Sequence, residues 1–362
     1  MIDTSASFSS NYQEARSKFL EAATEAGGAV ESIAHPEKGP DGGELFTDVA
    51  AFDVDGADKV LVLISGTHGV EGFCGSGAQV DLLRREEMAR LPEGVGVLLI
   101  HAINPYGFAW LRRVTHENID LNRNWIDFDQ PLPENPAYDQ LHPSICPAEW
   151  DEEAQQAASR GIQDFTQKHG HAAMQLAVSG GQYHRPDGLF YGGNAPSWSR
   201  TTQAAIFAEY LADASQVGII DYHTGLGPWG FCEQIVTMPR SSDCFERAAK
   251  WYGSALSCVV DGSSTSAAIG GDGLSAAPGL LPNAEVTCMA FEIGTVPLPE
   301  ILNAGMAEHW LHTHGDLQSE RAAAIKARFR DAFYGDRDDW KGMVTGQSLL
   351  AVRQALAGLE SN

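Results

Sequence analysis

A chain of 362 residues, 43% of them hydrophobic, is long enough and apolar enough to fold around a large core. Its 24 Lys and Arg residues against 48 Asp and Glu residues give a formal net charge of −24, and such a surface repels nucleic acid phosphates and anionic lipids. We therefore expect neither a nucleic acid nor a membrane as a partner. An anionic substrate would have to be recognised by a local cluster of arginines.

The amino terminus and the cysteines both indicate a cytoplasmic protein. Residues 1–23 lack the basic start and apolar run of a signal peptide, and no stretch approaches the roughly 18 apolar residues of a membrane span. The six cysteines are scattered without a C-x-x-C pair, so we expect free thiols that are mostly buried.

Apolar runs and helical patterns alternate along the chain. Four short runs predict the buried strands of a mostly parallel sheet: residues 59–64, 95–103, 217–221 and 286–293. Amphipathic patterns predict helices over residues 10–26, 75–91, 299–332 and 346–359. The order strand, helix, strand predicts an α/β architecture with right-handed connections.

Two segments lack a clear periodic pattern. Residues 126–155, rich in proline and acidic residues, predict a long loop. Residues 261–282 are rich in Gly, Ser and Ala, which is typical of a mobile surface loop or of a lid or wall of a pocket.

Polar side chains follow or end each of the four predicted strands. His68 and Glu71 follow the first strand, His223 ends the third and Glu292 lies in the fourth. A loop after the second strand leads to the pair Asn122–Arg123. Ligands of open α/β sheets bind at the carboxyl ends of the strands, so residues far apart in sequence can meet there.

Each of these residue types fits a chemical task. Two imidazoles and a carboxylate are the ligand set of catalytic zinc sites that leave one position open, although the same set suits other divalent metals. A carboxylate near that ion, such as Glu292, can accept a proton from water. Asp221, two residues before His223, either orients a metal ligand or is a structural residue at a strand end.

Taken together, the motifs resemble those of the zinc carboxypeptidase superfamily over residues 59–295. They are GTHGVEG (66–72), NPYGF (104–108) followed by RR (112–113), DLNRNW (120–125), DYHTG (221–225) and FEIG (291–294). The resemblance implies one catalytic domain over residues 1–362, built on a central mixed, mostly parallel sheet flanked by helices.

The resemblance also implies roles for individual residues. It implies one zinc ion per chain, held by His68, Glu71 and His223, with Glu292 as the general base. The substrate's terminal carboxylate would be held by Asn122 and Arg123, since a guanidinium can grip a carboxylate with two parallel hydrogen bonds.

The arginine that stabilises the oxyanion in this family precedes the DLNRN motif, and Arg113 fits its spacing best. Arg112 is the alternative, and we also consider it as a substrate-binding residue.

The sequence departs from the family pattern at the mobile pocket tyrosine. Between His223 and Glu292 the tyrosine present is Tyr252, which lies in an ordinary helical context. An insertion at residues 180–193, similar to one in an uncharacterised bacterial branch, offers Tyr183 and Tyr191. Tyr183 is therefore our candidate for substrate binding.

Two alternative functions remain. The motifs DYHTG and EIG are also close to the succinylglutamate desuccinylase and aspartoacylase branch, which cleaves N-acyl amino acids and carries a β-rich domain after its catalytic glutamate. Here 70 residues follow Glu292 and have helical patterns, which favours a small peptide over an N-acyl amino acid as the substrate. A non-catalytic protein that binds a metal and a carboxylate would have no need of Glu292.

Overall fold

The computed structural model describes residues 3–361, in which eight strands form one sheet. The strands are β1 (Ala29–Lys38), β2 (Glu44–Phe52), β3 (Lys59–Ile64), β4 (Val95–His101), β5 (Gln216–Gly225), β6 (Cys232–Val236), β7 (Leu256–Cys258) and β8 (Glu285–Gly294).

Helices flank this sheet. They are α1 (Tyr12–Glu25), α2 (Gly72–Arg84), α3 (Pro105–Ala109), α4 (Pro136–Ile145), α5 (Glu152–His169), α6 (His171–Ser179), α7 (Trp198–Tyr210), α8 (Asp243–Tyr252), α9 (Gly273–Leu280), α10 (Leu298–Thr313), α11 (Glu320–Phe333) and α12 (Asp338–Glu360).

The strand order is β1-β2-β4-β3-β5-β8-β6-β7. The four central strands β4, β3, β5 and β8 run parallel. Antiparallel pairs join β1 to β2, β2 to β4 and β6 to β8, and β7 runs parallel to β6. These central strands are the four predicted apolar runs, and their buried side chains pack with those of the flanking helices in the main core. The predicted α/β fold with a mixed, mostly parallel sheet is confirmed.

The peripheral strands were not predicted. Strand β1 is largely exposed and carries charged residues, so it lacks the apolar run that marked the central strands. In the carboxyl-terminal region the predicted helix over 299–332 is two helices, α10 and α11, because Gly315 and the Asp316 turn interrupt the pattern.

The prediction of a long loop over residues 126–155 is wrong. Helix α4 occupies Pro136–Ile145 and α5 begins at Glu152. The side chain of Asn135 accepts a hydrogen bond from the Tyr138 amide, and Pro136 takes the first helical position, where a missing N–H costs nothing. The proline here starts a helix, and its presence alone does not indicate a loop.

The segment 261–282 agrees with the second of its two predicted forms. It contains α9, and Ser266, Ala267 and Ile269 line a cavity at the carboxyl ends of the central strands. Among the helices of residues 3–361, none is both long and apolar enough to cross a bilayer.

Candidate active site

The site lies where β3, β5 and β8 end side by side. His223 on β5 and Glu292 on β8 are directly paired in the parallel register. His68 and Glu71 lie in the turn after β3, so three adjacent strands bring these residues together. This is the meeting of distant residues that the strand-end pattern predicts.

The turn that carries His68 and Glu71 depends on Gly69. Its amide donates to the Arg113 carbonyl at 3.1 Å, and the next amide, of Val70, donates to the Arg112 carbonyl at 2.8 Å. A Cβ atom on Gly69 would lie 2.0 Å from the carbonyl carbon of Gly107, which is impossible without moving one backbone or the other. Glycine therefore lets the turn pack against the segment that carries the two arginines.

His68, Glu71 and His223 form a buried three-donor cluster. The Nδ1 atoms of His68 and His223 lie 3.2 Å apart. One Glu71 oxygen lies 2.9 Å from Nδ1 of His68, and the other lies 3.1 Å from Nδ1 of His223. One donor atom from each residue can be chosen so that all lie within 4.8 Å of one another.

The outer ring nitrogens of both histidines face carboxylates. Nε2 of His223 lies 2.9 Å from Asp221, whose other oxygen accepts a hydrogen bond from the Thr67 hydroxyl at 2.8 Å. Nε2 of His68 lies 3.3 Å from Asp120. A carboxylate behind a histidine fixes the ring so that its other nitrogen points at a metal. The donor set and its outer partners therefore fit a divalent cation.

Asp120 was missed by sequence reasoning. The side chain is fully buried and also accepts hydrogen bonds from Nε of Arg113 and from the Asn122 amide, both at 3.0 Å. Burial works against its carboxylate, but the charges of Arg113 and Arg123 hold its pKa well below the usual range. Its position as the first residue of DLNRNW was the available signal.

The electrostatics of the cluster favour a positive charge at its centre. Burial works against a charged imidazole at His223, yet the carboxylates of Asp221 and Glu71 raise its pKa well above the ordinary value. Burial likewise opposes ionisation of Glu71, but His68 and His223 lower its pKa. A cation held by these donors would be stabilised by the same carboxylates.

Glu292 lies beside this cluster with only 9% of its surface exposed. One of its oxygens accepts a hydrogen bond from the Leu226 amide at 2.8 Å. Burial, and after it the negative charge of Glu71, raise the pKa of Glu292 to about 7. A carboxyl group in such surroundings can exchange a proton near neutral pH.

The two neighbouring arginines differ in their surroundings. Arg113 reaches the cluster, with Nη1 at 3.1 Å from Glu71 and Nη2 at 2.8 Å from Nε2 of His68. Arg112 instead forms a buried ion pair with Glu308 at 3.1 Å and donates to Asn118. Both side chains border the cavity, but the guanidinium of Arg113 is the one beside the donor cluster.

Asn122 and Arg123 line the same cavity. Arg123 is 3% exposed, and burial lowers its pKa. Its guanidinium donates to the Ser179 carbonyl and, at 2.9 Å, to the Asn122 carbonyl, and it lies over the Phe190 ring at 5.7 Å. The nearest carboxylate oxygen, on Asp120, is 3.9 Å away, so the charge is only partly compensated.

Tyr183 does not reach the cavity with its hydroxyl group. That group donates to the backbone carbonyl of Arg123 at 2.6 Å, so the ring lies behind the arginine. Within residues 3–361 no tyrosine lines the cavity, and Phe190 from the same insertion borders it instead. Phe190 was not predicted, because the family pattern indicates a tyrosine hydroxyl group in the pocket.

One cavity of about 670 Å³ is bordered by the three-donor cluster, Glu292, both arginines of the 112–113 pair, Asn122, Arg123 and Phe190, but not by Asp120, Asp221 or Tyr183. The cavity extends from the strand ends to the helices α5, α6 and α10. A volume of this size accommodates a small organic ligand or a short peptide.

Comparison with known proteins places the chain in a family. The family described as "Protein of unknown function (DUF2817)" matches residues 8–347. The chain belongs to this family. The search of curated proteins found no match.

Solved structures show how the DUF2817 chain folds. Bovine thrombin-activatable fibrinolysis inhibitor, solved with tick carboxypeptidase inhibitor, aligns over 98% of both chains with a TM-score of 0.52 and 10% identity. Another structure of thrombin-activatable fibrinolysis inhibitor aligns over 97% of this chain and 74% of its own, with a TM-score of 0.51 and 12% identity. A succinylglutamate desuccinylase from Chromobacterium violaceum aligns over 86% and 72%, with a TM-score of 0.38 and 14% identity.

At these identities the first two alignments show a shared fold. This fold is that of the zinc carboxypeptidases, as the sequence motifs predict. A shared fold does not determine the reaction, which depends on the residues at the site.

Proposed function

We propose that this chain, as one catalytic domain over residues 1–362, is a zinc-dependent hydrolase that cleaves an amide bond next to a free carboxylate, as a carboxypeptidase does. One observation carries the proposal: a single cavity is lined by the three-donor cluster, Glu292, Arg113 and the pair Asn122–Arg123. A metal site, a base and two cations for an anionic substrate therefore open onto the same space.

His68, Glu71 and His223 would hold the metal ion. A zinc ion bound there would supply Lewis acidity, which makes water a better nucleophile at neutral pH and polarises a carbonyl group. Asp221 keeps the His223 ring oriented with Nδ1 toward the centre. Nε2 of His68 faces both Asp120 and Arg113.

The chain's own groups would handle the proton and the developing charge. Glu292 would take a proton from the attacking water and deliver it to the nitrogen of the departing amine. Arg113 would donate hydrogen bonds to the substrate carbonyl oxygen as its negative charge grows. Both residues border the cavity, so both would be able to act on one bound substrate.

Asn122 and Arg123 would bind the free carboxylate. Long-range attraction cannot recruit an anion to a chain with a net charge of −24, so recognition depends on short-range bonds inside the cleft, where water is excluded. Arg123 lies 3.9 Å from the nearest carboxylate and otherwise donates to backbone carbonyls. A substrate carboxylate would complete its charge balance.

The side chain of the carboxylate-bearing residue would enter an apolar pocket. Ala290 lies two residues before Glu292 on the same face of β8, and it pairs with Ile235 of β6. Val259 and Leu274 extend this surface along the cavity. Burying a leucine or phenylalanine side chain there would contribute roughly 1.5–3 kcal/mol.

We therefore expect free-acid peptides ending in Leu or Phe to be cleaved at least about tenfold faster than those ending in Lys or Asp. The measurement is mass spectrometry of an equimolar mixture of otherwise identical peptides. A preference for a charged terminal residue would contradict the assigned pocket.

Asn122 and Arg123 together form the proposed carboxylate clamp. It is tested with two matched substrates, one a free acid and one its carboxy-terminal amide. The wild-type protein should cleave the acid at least about a hundredfold faster, because the amide leaves the buried guanidinium without an anionic partner. Arg123→Lys should lose most of the activity on the acid, since an ammonium group cannot form the planar two-point contact.

Arg160→Lys, an exposed position on α5, is the matched control and should behave as wild type. Because Arg123 also binds the Ser179 carbonyl, thermal unfolding of Arg123→Lys has to show that the fold persists. Equal rates on acid and amide would refute the carboxylate clamp and favour an endopeptidase or esterase.

A further inference from the structure

We propose that the cleft continues along helix α5 as a binding groove for an extended, uncharged peptide chain on the amino side of the scissile bond. This inference rests on the proposed function and narrows its substrate to peptides of several residues, as opposed to amino acids with a short acyl group.

One face of α5 lines the cavity over most of its length. The lining positions repeat with helical spacing: Gln155, Ala158, Ser159, Ile162, Gln163, Thr166 and Gln167. From the first to the last of them the helix rises about 18 Å, at 1.5 Å per residue. An extended peptide, at about 3.3–3.6 Å per residue, would place roughly five residues along it.

Helix α10 connects this face to the metal centre. Ile301 and Ala304 of α10 pack with Val70, the neighbour of Glu71. Further along α10, Met306 packs with Ala158 of α5. The cavity thus passes from the donor cluster along α10 to α5 without interruption.

The α5 face of the groove carries no charged side chain although the chain is strongly acidic. The charged residues of α5 are exposed and absent from the cavity lining: Glu152, Glu153, Arg160, Asp164 and Lys168. The lining face presents side-chain amides and hydroxyls between small or apolar groups. Each glutamine amide offers both donors and an acceptor, which is what a peptide backbone requires.

Helix α6 continues the same surface with Gln175, Met174 and Val178. The Gln175 side chain donates to the Thr265 carbonyl at 3.0 Å, so α6 and the segment 261–282 meet at the rim of the cavity. A bound peptide would therefore lie between α6 and the segment 261–282, which meet at this contact. A short acyl group, such as acetyl, would leave the α5 face unused.

The test compares N-acetyl-phenylalanine with N-acetyl-tetraalanyl-phenylalanine, which present the same terminal carboxylate and side chain. Dissociation constants are measured by calorimetry on the metal-loaded Glu292→Gln protein, so that binding is read without turnover. We expect the longer peptide to bind at least tenfold more tightly, which corresponds to about 1.4 kcal/mol.

Two tryptophan substitutions on α5 test whether the tighter binding of the longer peptide depends on the groove. Ser159→Trp fills the groove and should abolish the tenfold difference by weakening the long peptide alone. Ala157→Trp, an exposed neighbour outside the cavity lining, should preserve it. Thermal unfolding of both variants checks that α5 remains folded.

Equal affinities for the two ligands would refute the proposed groove. A difference in affinity that persists in Ser159→Trp would refute it as well. The proposed function is judged separately by hydrolysis with the wild-type protein. Cleavage of both substrates at equal kcat/KM would support the proposed hydrolase function and refute the proposed groove. If the longer peptide bound tightly through α5 but was not cleaved, the proposed groove would be supported and the proposed hydrolase function refuted.

Discussion

His223→Ala is expected to lose the bound metal ion and all measurable hydrolysis while the protein remains folded. The residue supplies one of three donors in the cluster, and its ring is held by Asp221 at 2.9 Å. Removing one of three protein ligands from a catalytic site weakens metal binding strongly. The core formed by the central strands does not depend on this side chain, so unfolding should remain cooperative.

Metal content per chain, measured by elemental mass spectrometry after purification, is the decisive quantity for this variant. His169→Ala, at an exposed position at the end of α5, is the control and should retain about one ion. The thermal midpoint of the wild type should also fall on treatment with a chelator, because a ligand that binds only the folded state stabilises it. Full metal retention in both His68→Ala and His223→Ala would show that the ligand assignment is wrong.

Glu292→Gln is expected to reduce kcat by roughly a hundredfold or more and to leave metal content unchanged. The amide keeps the size of the side chain and can still accept from the Leu226 amide, which is 2.8 Å from the carboxylate. It cannot take up a proton and pass it on. Since Glu292 is not one of the three donors, the metal should stay.

The matched control is Glu300→Gln, the same change at an exposed position on α10 outside the cavity lining, and its activity should equal that of the wild type. Substrate binding by Glu292→Gln should also persist, because Asn122 and Arg123 are unaltered. If turnover stayed within threefold of the wild type, the proton acceptor would have to be another residue.

The central sheet could be predicted because its strands are continuous apolar runs. A parallel strand buried on both faces reads as a nearly continuous apolar run, and β3, β4, β5 and β8 each contain such a run. The exposed strand β1 and the short strand β7 carry no such pattern. Helix α4 was missed because its prolines were treated as breakers, although one of them starts the helix.

The site residues could be predicted where each lies at the end of an apolar strand. His68, His223 and Glu292 occupy such positions, and parallel strands place their carboxyl ends at one edge. Asp120 lies in a long connection after β4, about nineteen residues beyond the strand end, so no periodic pattern indicated that it would face His68.

The sequence by itself therefore determined the fold class and the chemical types gathered at the strand ends, since both follow from hydrophobic pattern and strand order. Tertiary structure alone decided which arginine faces the donor cluster, because Arg112 and Arg113 are neighbours in sequence. The former pairs with Glu308 of α10 and the latter with Glu71. Tertiary structure also decided that Tyr183 lies behind Arg123 and that one face of α5 lines the cavity. Such choices depend on contacts between segments distant in sequence, which local patterns do not record.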